Sequence, residues 1–392
     1  MVGVDAVAAD WAGSGLAYLT GPPDGPPDFS RAAVLTQARR VTAEIAELTG
    51  VDVDAAMVLA GRAALLGLTR RGSMSAGGAT RLLPTADGWC AIALPRPEDI
   101  EALPALLESD TIPVDPWAAL TDWAATRSTR DVVSRAQLLD IAAAALGEAA
   151  PAAPVVRRIG DSAEPRGLEG LLVADLSSLW AGPLCTQLLA RAGAVVVKVE
   201  SPARPDGTRR GEPAFFDWMN FGKLSYAVDF EDDALRALLT AADVAVEGSR
   251  PAALRRRRLS VDDVPAPAGR VWLRIGGYAG QPDRAAFGDD AAVAGGLIGE
   301  GPVFCGDAIA DPLTGLEAAR TVAQSLQRGG GELIEVSMAQ VAASYAALPP
   351  SPPCDLAVAP PQPPPPSPSA PPLGADNAAV MHIVAEKLGA PC

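Results

Sequence analysis

Few residues in this chain are equipped for chemistry, and most of those are carboxylates. There is one histidine, His382, near the C-terminus. That nearly excludes histidine-ligated metal sites and Ser-His-Asp triads. The five cysteines (Cys90, Cys185, Cys305, Cys354 and Cys392) are scattered and form no CxxC pair. Neither a disulfide framework nor a zinc site is expected. Among the carboxylates, Asp311 has the most informative setting. Asp311-Pro312-Leu313-Thr314-Gly315 reads as a helix start, with Asp as the cap, Pro in the first helical position and an apolar periodic run behind. A structural role explains that pattern by itself. A carboxylate there also faces free N–H groups and a positive dipole end, favourable by about 0.3–1 kcal/mol, which keeps it ionised. Burial would act in the opposite direction.

Charge narrows the partners. Lys and Arg number 32 against 47 Asp and Glu, a net charge of −15. An acidic chain without a dominant basic face is a poor nucleic-acid binder. Arg209, Arg210, Lys223, Arg250 and the run Arg255–Arg258 nevertheless follow expected strands, and a local basic pocket there suits a small polyphosphate. Four consecutive arginines also read as a solvated face. The opening MVGVDAVAADWAG has no positive region ahead of an apolar run, so no signal peptide is expected. No stretch of about 20 apolar residues is free of charge or Pro, so no membrane span is expected and the cytoplasm is the default address.

The elements that must position these groups fall into zones. With 392 residues, 49% of them apolar, and a mean hydropathy of +0.17, the chain suits two domains with real cores. Residues 1–150 are Ala-rich, with helical periodicity over 31–48, 54–68 and 133–147 and a strand at Trp89–Leu94 after the turn Ala86-Asp87-Gly88. Residues 151–168 read as a linker. In 169–347, apolar runs at Leu171–Leu176, Ala194–Glu200, Leu224–Phe230, Asp243–Glu247, Arg270–Gly276 and Glu332–Met338 alternate with helical stretches. That alternation predicts an α/β fold, a Rossmann-like parallel sheet covered on both faces, with ligands at the carboxyl ends of its strands, beside a smaller α+β domain. Residues 348–372 form a Pro-rich strap and 373–392 a short C-terminal segment with a helix near 376–389.

At the first strand exit stands Ser177-Ser178-Leu179-Trp180-Ala181-Gly182-Pro183. A dinucleotide fingerprint needs G-x-G-x-x-G here, and only Gly182 is present. A tight turn with Pro at the start of the helix accounts for Gly182-Pro183.

From that point a family resemblance is legible. LLVADLSSLWAGPLCTQLLARAGAVVVKVESPARPDGTRRG resembles the opening of the class III coenzyme A transferases, the CaiB/BaiF-type family of formyl-CoA and carnitine-CoA transferases. Further segments follow in order. Phe221–Ser225 looks like N-K-R-S, Ala242–Pro251 like A-D-V-x-V-E-N-F-R-P, and Glu332–Ala339 like the strand V-D-V-S-M. Gly306–Ala319 looks like the segment that holds the family's nucleophilic aspartate. The resemblance covers about 165–345. It implies a CoA transferase in which Asp311 attacks an acyl-CoA thioester, with coenzyme A and acyl-CoA as substrates, a small carboxylic acid as acceptor, no permanently bound cofactor or metal, and a homodimer. Asp289 and Asp290 are the rival carboxylates; Asp289 aligns with a tyrosine-aspartate pair of the family and serves equally well as a cap.

For the coenzyme, the resemblance points to Trp180, Ala181, Lys223, Arg209, Arg250 and Arg256. Trp180 replaces a smaller polar residue, and Gly248-Ser249 replace an Asn-Phe pair. Backbone N–H donors for a tetrahedral oxyanion are sought at Gly276-Gly277 or Gly77-Gly78, both of which also read as ordinary loops. The halves stand in unusual order, because the small-domain-like material of 1–150 precedes the catalytic domain. Two other readings stay open. One is an α-methylacyl-CoA racemase, whose histidine is missing from Phe287-Gly288-Asp289. The other is an acyl-CoA-binding paralogue without turnover.

Overall fold

A computed structural model describes residues 4–248 and 250–389. Ser249, half of the Gly248-Ser249 pair, and residues 390–392, Cys392 among them, lie outside the described residues. The centre is a seven-stranded sheet. From edge to edge its strands are Val155–Arg158, Glu332–Ser337, Val271–Gly276, Val244–Glu247, Leu172–Leu176, Val195–Glu200 and Leu224–Ala227. All neighbours run parallel except the first pair. The six parallel strands thus follow the doubly wound order 3-2-1-4-5-6. Each coincides with an apolar run expected from the sequence. Leu172–Leu176 is buried throughout, as a strand covered on both faces must be.

Two cores cover the two faces. On one, the helices Ala181–Arg191, Ala310–Gln327 and Met338–Ala346 pack with the N-terminal helices Val4–Gly13, Leu16–Leu19, Ala33–Thr49 and Ala55–Leu65. On the other, Asp233–Ala241, Pro251–Arg256 and Asn377–Leu388 cover the sheet. A third core belongs to a three-stranded antiparallel sheet, Thr80–Pro84, Trp89–Ala93 and Ala142–Ala145, with helices from Pro97 to Leu138. The 1–150 stretch is therefore divided, its first part sharing the large sheet's core and its second part forming a small unit.

Two local expectations are corrected. Residues 133–147 are not one helix. The helix Thr129–Leu138 ends at Asp140, whose φ is 61°, and Ala142–Ala145 pairs with Cys90–Ala93 as a strand. An alanine run has helical propensity, but here burial between neighbours selects the extended form. The 151–168 linker contains the strand Val155–Arg158, antiparallel to Glu332–Glu335. Its four side chains are exposed, so no hydrophobic pattern marks it.

The Pro-rich strap is tied down along its length. Ser351 N donates to Ser30 O (3.1 Å) and Ala359 N to Ala12 O (2.9 Å). Ala370 N donates to Asp217 Oδ1 (2.8 Å). Beyond it, Asn377 pairs with the backbone of Ala227 through Oδ1 and Nδ2, both at 2.9 Å. That side chain caps the open edge of the Leu224–Ala227 strand, where unpaired backbone is a liability.

Candidate active site

The strand order reverses between the paired neighbours Leu172–Leu176 and Val244–Glu247, so the connections leave in opposite directions there, the switch point where such sheets form a crevice. The loop Ser177–Trp180 leaves the first strand there. Buried charge holds it. Asp175 accepts from Ser177 N (3.0 Å), Ser177 Oγ and Thr186 Oγ1 (2.6 Å). Asp206 accepts from Leu179 N (3.2 Å) and Lys198 Nζ (2.8 Å). Leu179 is left-handed, φ 70°, a sparsely populated conformation for a branched side chain. The loop delivers Trp180 and then Ala181, the first residue of its helix.

Asp311 meets this helix start. It is the second residue of Ala310–Gln327, not the cap, because Ile309 already has helical angles and Asp311 N bonds Ala308 O (2.9 Å). Its side chain is thereby freed from capping its own helix. The Ala181 amide opposes the carboxylate, so Asp311 lies at two helix N-termini. The helices touch closely, since a Cβ on Gly315 would meet Ala181 O at 2.8 Å.

Three more carboxylates surround it. Asp289 accepts from Ala308 N (3.1 Å) and Thr80 Oγ1 (3.2 Å). Asp290 is fully buried and accepts from Tyr278 Oη (2.5 Å) and Phe287 N (2.6 Å). Asp307 takes both oxygens to Arg62 Nη1, at 2.8 and 2.6 Å. Arg62 also lies 5.4 Å from the Trp180 ring centroid and 5.5 Å from that of Phe215.

This crowding decides protonation. Burial pushes Asp311 up to about 7; Arg62 opposes, Asp289 adds, and the Ala181 amide opposes. Burial and then Asp307 push Asp289 up to about 6, against Ser75, Arg62 and Thr80. Burial pushes Asp290 up to about 7, against the Tyr278 hydroxyl. Burial raises Asp307 too, with Arg62 opposing. The dipole expected to keep Asp311 fully ionised is thus outweighed by desolvation, leaving a basic carboxylate poised near neutrality.

The other expected residues are distributed unevenly. Ala181 adjoins Asp311 through its amide, and Trp180 precedes it in the chain with Arg62 over its ring. Lys223 is sealed inside, its Nζ shared among Asp175 Oδ2 (3.2 Å), Pro183 O (3.0 Å), Thr186 Oγ1 (2.8 Å) and Asn220 Oδ1 (3.1 Å). Burial lowers its pKa to about 8. Arg209 is taken up by Glu200 (2.6 Å) and stacks on Phe216, 4.3 Å from its centroid. Arg250 and Arg256 are exposed, and Arg250 pairs with Asp140. Gly277 O is committed to Ser337 Oγ (3.1 Å) and Ala339 N (3.0 Å), and Gly276 pairs with Ser337 in the sheet. Gly77-Gly78 lie in the loop between Ser75 and Thr80, both of which act on Asp289. His382 sits on the opposite face of the sheet, 3.2 Å from Glu386.

Arg62 and Asp307 carry the site's charge balance and were not singled out from the sequence. Asp307 stood within Gly306–Ala319. Arg62 sits in an apolar helix with no motif around it. A cavity of ≈ 530 Å³ lies elsewhere, where Trp89, Thr129 and Gln137 of the small unit face Gln281 and Arg284. Asp311 does not line it. Carboxylates, a cation and two helix termini converge instead at Asp311. No group able to hold a metal ion occurs among the described residues, and no helix there is long and apolar enough to cross a membrane.

A doubly wound sheet with carboxylates, a cation and two helix N-termini gathered beside its switch point defines an α/β protein. Sequence comparison is specific: the chain belongs to CoA-transferase family III, whose sequence model matches residues 168–364, half of the chain. Similar curated proteins include the succinyl-CoA–D-citramalate CoA-transferase of Chloroflexus aurantiacus, 29% identical over 203 residues, covering 44% of this chain and 50% of that protein. The formyl-CoA:oxalate CoA-transferase of Afipia carboxidovorans is 29% identical over 197 residues, 44% of this chain and 46% of its own. The succinyl-CoA:glutarate CoA-transferase of Mus musculus is 34% identical over 220 residues, 47% and 50% respectively. The chain spans about half the length of the curated relatives it matches. A CaiB/BaiF family protein from Brucella suis is similar at 28% identity and a TM-score of 0.42, over 46% of this chain and 55% of that one.

Proposed function

We propose that the chain transfers coenzyme A from an acyl-CoA to a small carboxylic acid, with Asp311 as the covalent nucleophile and the 169–347 unit as the catalytic domain. The observation that carries this reading is the placement of the Asp311 carboxylate at two helix N-termini beside the sheet's switch point, against the Gly288 backbone and the Ala181 amide. The Asp311 carboxylate attacks the donor thioester carbonyl, and the C–S bond breaks to give a mixed anhydride and CoA thiolate. The thiolate attacks the Asp311 carbonyl, releasing the donor acid as its carboxylate and leaving an aspartyl-CoA thioester. The acceptor carboxylate attacks that thioester and displaces the thiolate. Thiolate attack on the acceptor carbonyl of the resulting anhydride gives the new acyl-CoA and regenerates Asp311.

A carboxylate with a raised pKa is a stronger nucleophile than an ordinary one, and near pH 7 a large fraction is still ionised. The exposed Arg256 and Arg250 are assigned to coenzyme phosphates, where charge-assisted contacts act at the surface. Trp180 and Ala181 border the thioester, and Gly276-Gly277 or Gly77-Gly78 are the oxyanion candidates. The family resemblance implies a homodimer as the setting. The test is covalent trapping. The chain is incubated with succinyl-CoA, quenched, and digested. Mass spectrometry should find CoA, or a hydroxamate after hydroxylamine, on Asp311. An unlabelled Asp311 during measurable CoA exchange would refute the reading.

A further inference from the structure

Among the described residues, Arg62 is the cation whose charge acts on Asp289, Asp307 and Asp311 alike. It lies in Ala55–Leu65, outside residues 168–364 that match the family. Three contacts fix its guanidinium: both oxygens of Asp307 at 2.8 and 2.6 Å, the Trp180 ring at 5.4 Å and the Phe215 ring at 5.5 Å. Its helix is closely packed. A Cβ on the adjacent Gly61 would meet Trp218 Cη2 at 3.1 Å and Pro364 Cδ, from the strap, at 3.3 Å. A guanidinium is always charged and presents a rigid fork, so it serves as a constant in a cluster of titrating acids.

Resting on the proposed transferase reading, we propose that Arg62 is a positioning residue for Asp311: it holds the nucleophile's carboxylate ionised and anchors Asp307 and Trp180 around it, so that the N-terminal segment completes the active site. The groups facing Asp311 are Arg62 from its helix, Asp289 and Asp290 from Gly288–Ala294, and the Ala181 amide. Asp307 joins through Arg62. Three of those neighbours are acids. Without Arg62 their mutual repulsion and the desolvation of Asp311 lose their largest opponent, leaving the Ala181 amide, and the neutral acid gains. A cation–π contact with Trp180 and Phe215 also ties ring placement to the same guanidinium.

The experiment uses the full chain with Arg62→Met and Arg62→Lys. Two readouts are followed: the pH profile of kcat/KM for CoA exchange, and the titration of 13Cγ-labelled aspartates, with Asp311 assigned through Asp311→Asn. Arg62→Met should move the acidic limb and the Asp311 titration upward together by about one pH unit or more. It should also lower the rate at pH 6 by about tenfold or more. Arg62→Lys keeps the charge without the fork and should restore part of both shifts. Unmoved profiles in both variants would overturn the proposal, as would a lysine variant matching methionine. If Arg62→Met does not fold, Arg62→Lys is read alone, and its Asp311 titration must still rise measurably or the proposal fails. The carboxylate titration separates this inference from the transferase reading. An Asp311 that shifts without any CoA exchange refutes the reading and leaves the electrostatic role standing. An exchanging enzyme with an unshifted Asp311 does the reverse.

Discussion

The Asp311 carboxylate rests against the backbone of Gly288: a Cβ built there would meet Asp311 Oδ2 at 2.3 Å and Ala308 O at 2.4 Å. Glycine is required by space, because the backbone of Ala308 leaves no room for a side chain. Gly288→Ala should displace the carboxylate and cost on the order of 100-fold in kcat/KM. Overpacking should lower stability by about 1–3 kcal/mol. Steady-state kinetics and urea unfolding check both. Parental kinetics would show that the close approach has no bearing on turnover.

Asp311→Asn keeps the shape and removes the nucleophile. Turnover should fall by about a thousandfold or more, while acyl-CoA binding by calorimetry stays within about threefold of the parent. Mass spectrometry should find no covalent CoA on residue 311.

Rate should follow the ionised fraction of Asp311, whose pKa burial raises to about 7. Log kcat/KM should climb by about one per pH unit below 7 and flatten above it. A limb near pH 4 would place the working carboxylate in a solvated environment, contrary to the geometry.

Stability should move the other way. Asp290 is fully buried and pushed up to about 7 by burial. The folded state therefore binds more protons than the unfolded chain between the ordinary carboxylate range and neutrality, and stability falls as pH rises across that window. Asp290→Asn should remove part of that slope, adding on the order of 2 kcal/mol at pH 8 and little at pH 4. Denaturant midpoints at the two pH values measure it.

Lys223 and Arg256 separate structure from ligand binding. Lys223→Met strands the buried Asp175 without its ion-pair partner and should cost about 3–5 kcal/mol of stability. Arg256→Ala should leave Tm unchanged and raise KM for acyl-CoA by about three- to tenfold. Thermal scans and kinetics on both variants distinguish the roles.

Much of this molecule is written locally. Six strands of the large sheet are visible as mostly apolar runs, since a strand covered on both faces is near-continuously hydrophobic. Asp311 is visible because Pro312 and the apolar run behind it announce a helix start, and the ordered motifs around it announce the family. The strand Val155–Arg158 is invisible for the converse reason, its side chains all facing solvent. Ala142–Ala145 misleads because alanine fits both states and only its neighbours choose.

Charge is where tertiary structure decided. Lys223 and Arg256 read alike in sequence, yet one lies among four internal acceptors and the other on the surface. Arg62 reaches Asp307 across 245 positions of chain. Local pattern determines which face of an element is apolar, because periodicity is a property of neighbours. Which acids gather, and which cations they gather around, depends on distant segments arriving at one point. Desolvation is set only there, and with it the protonation of Asp311.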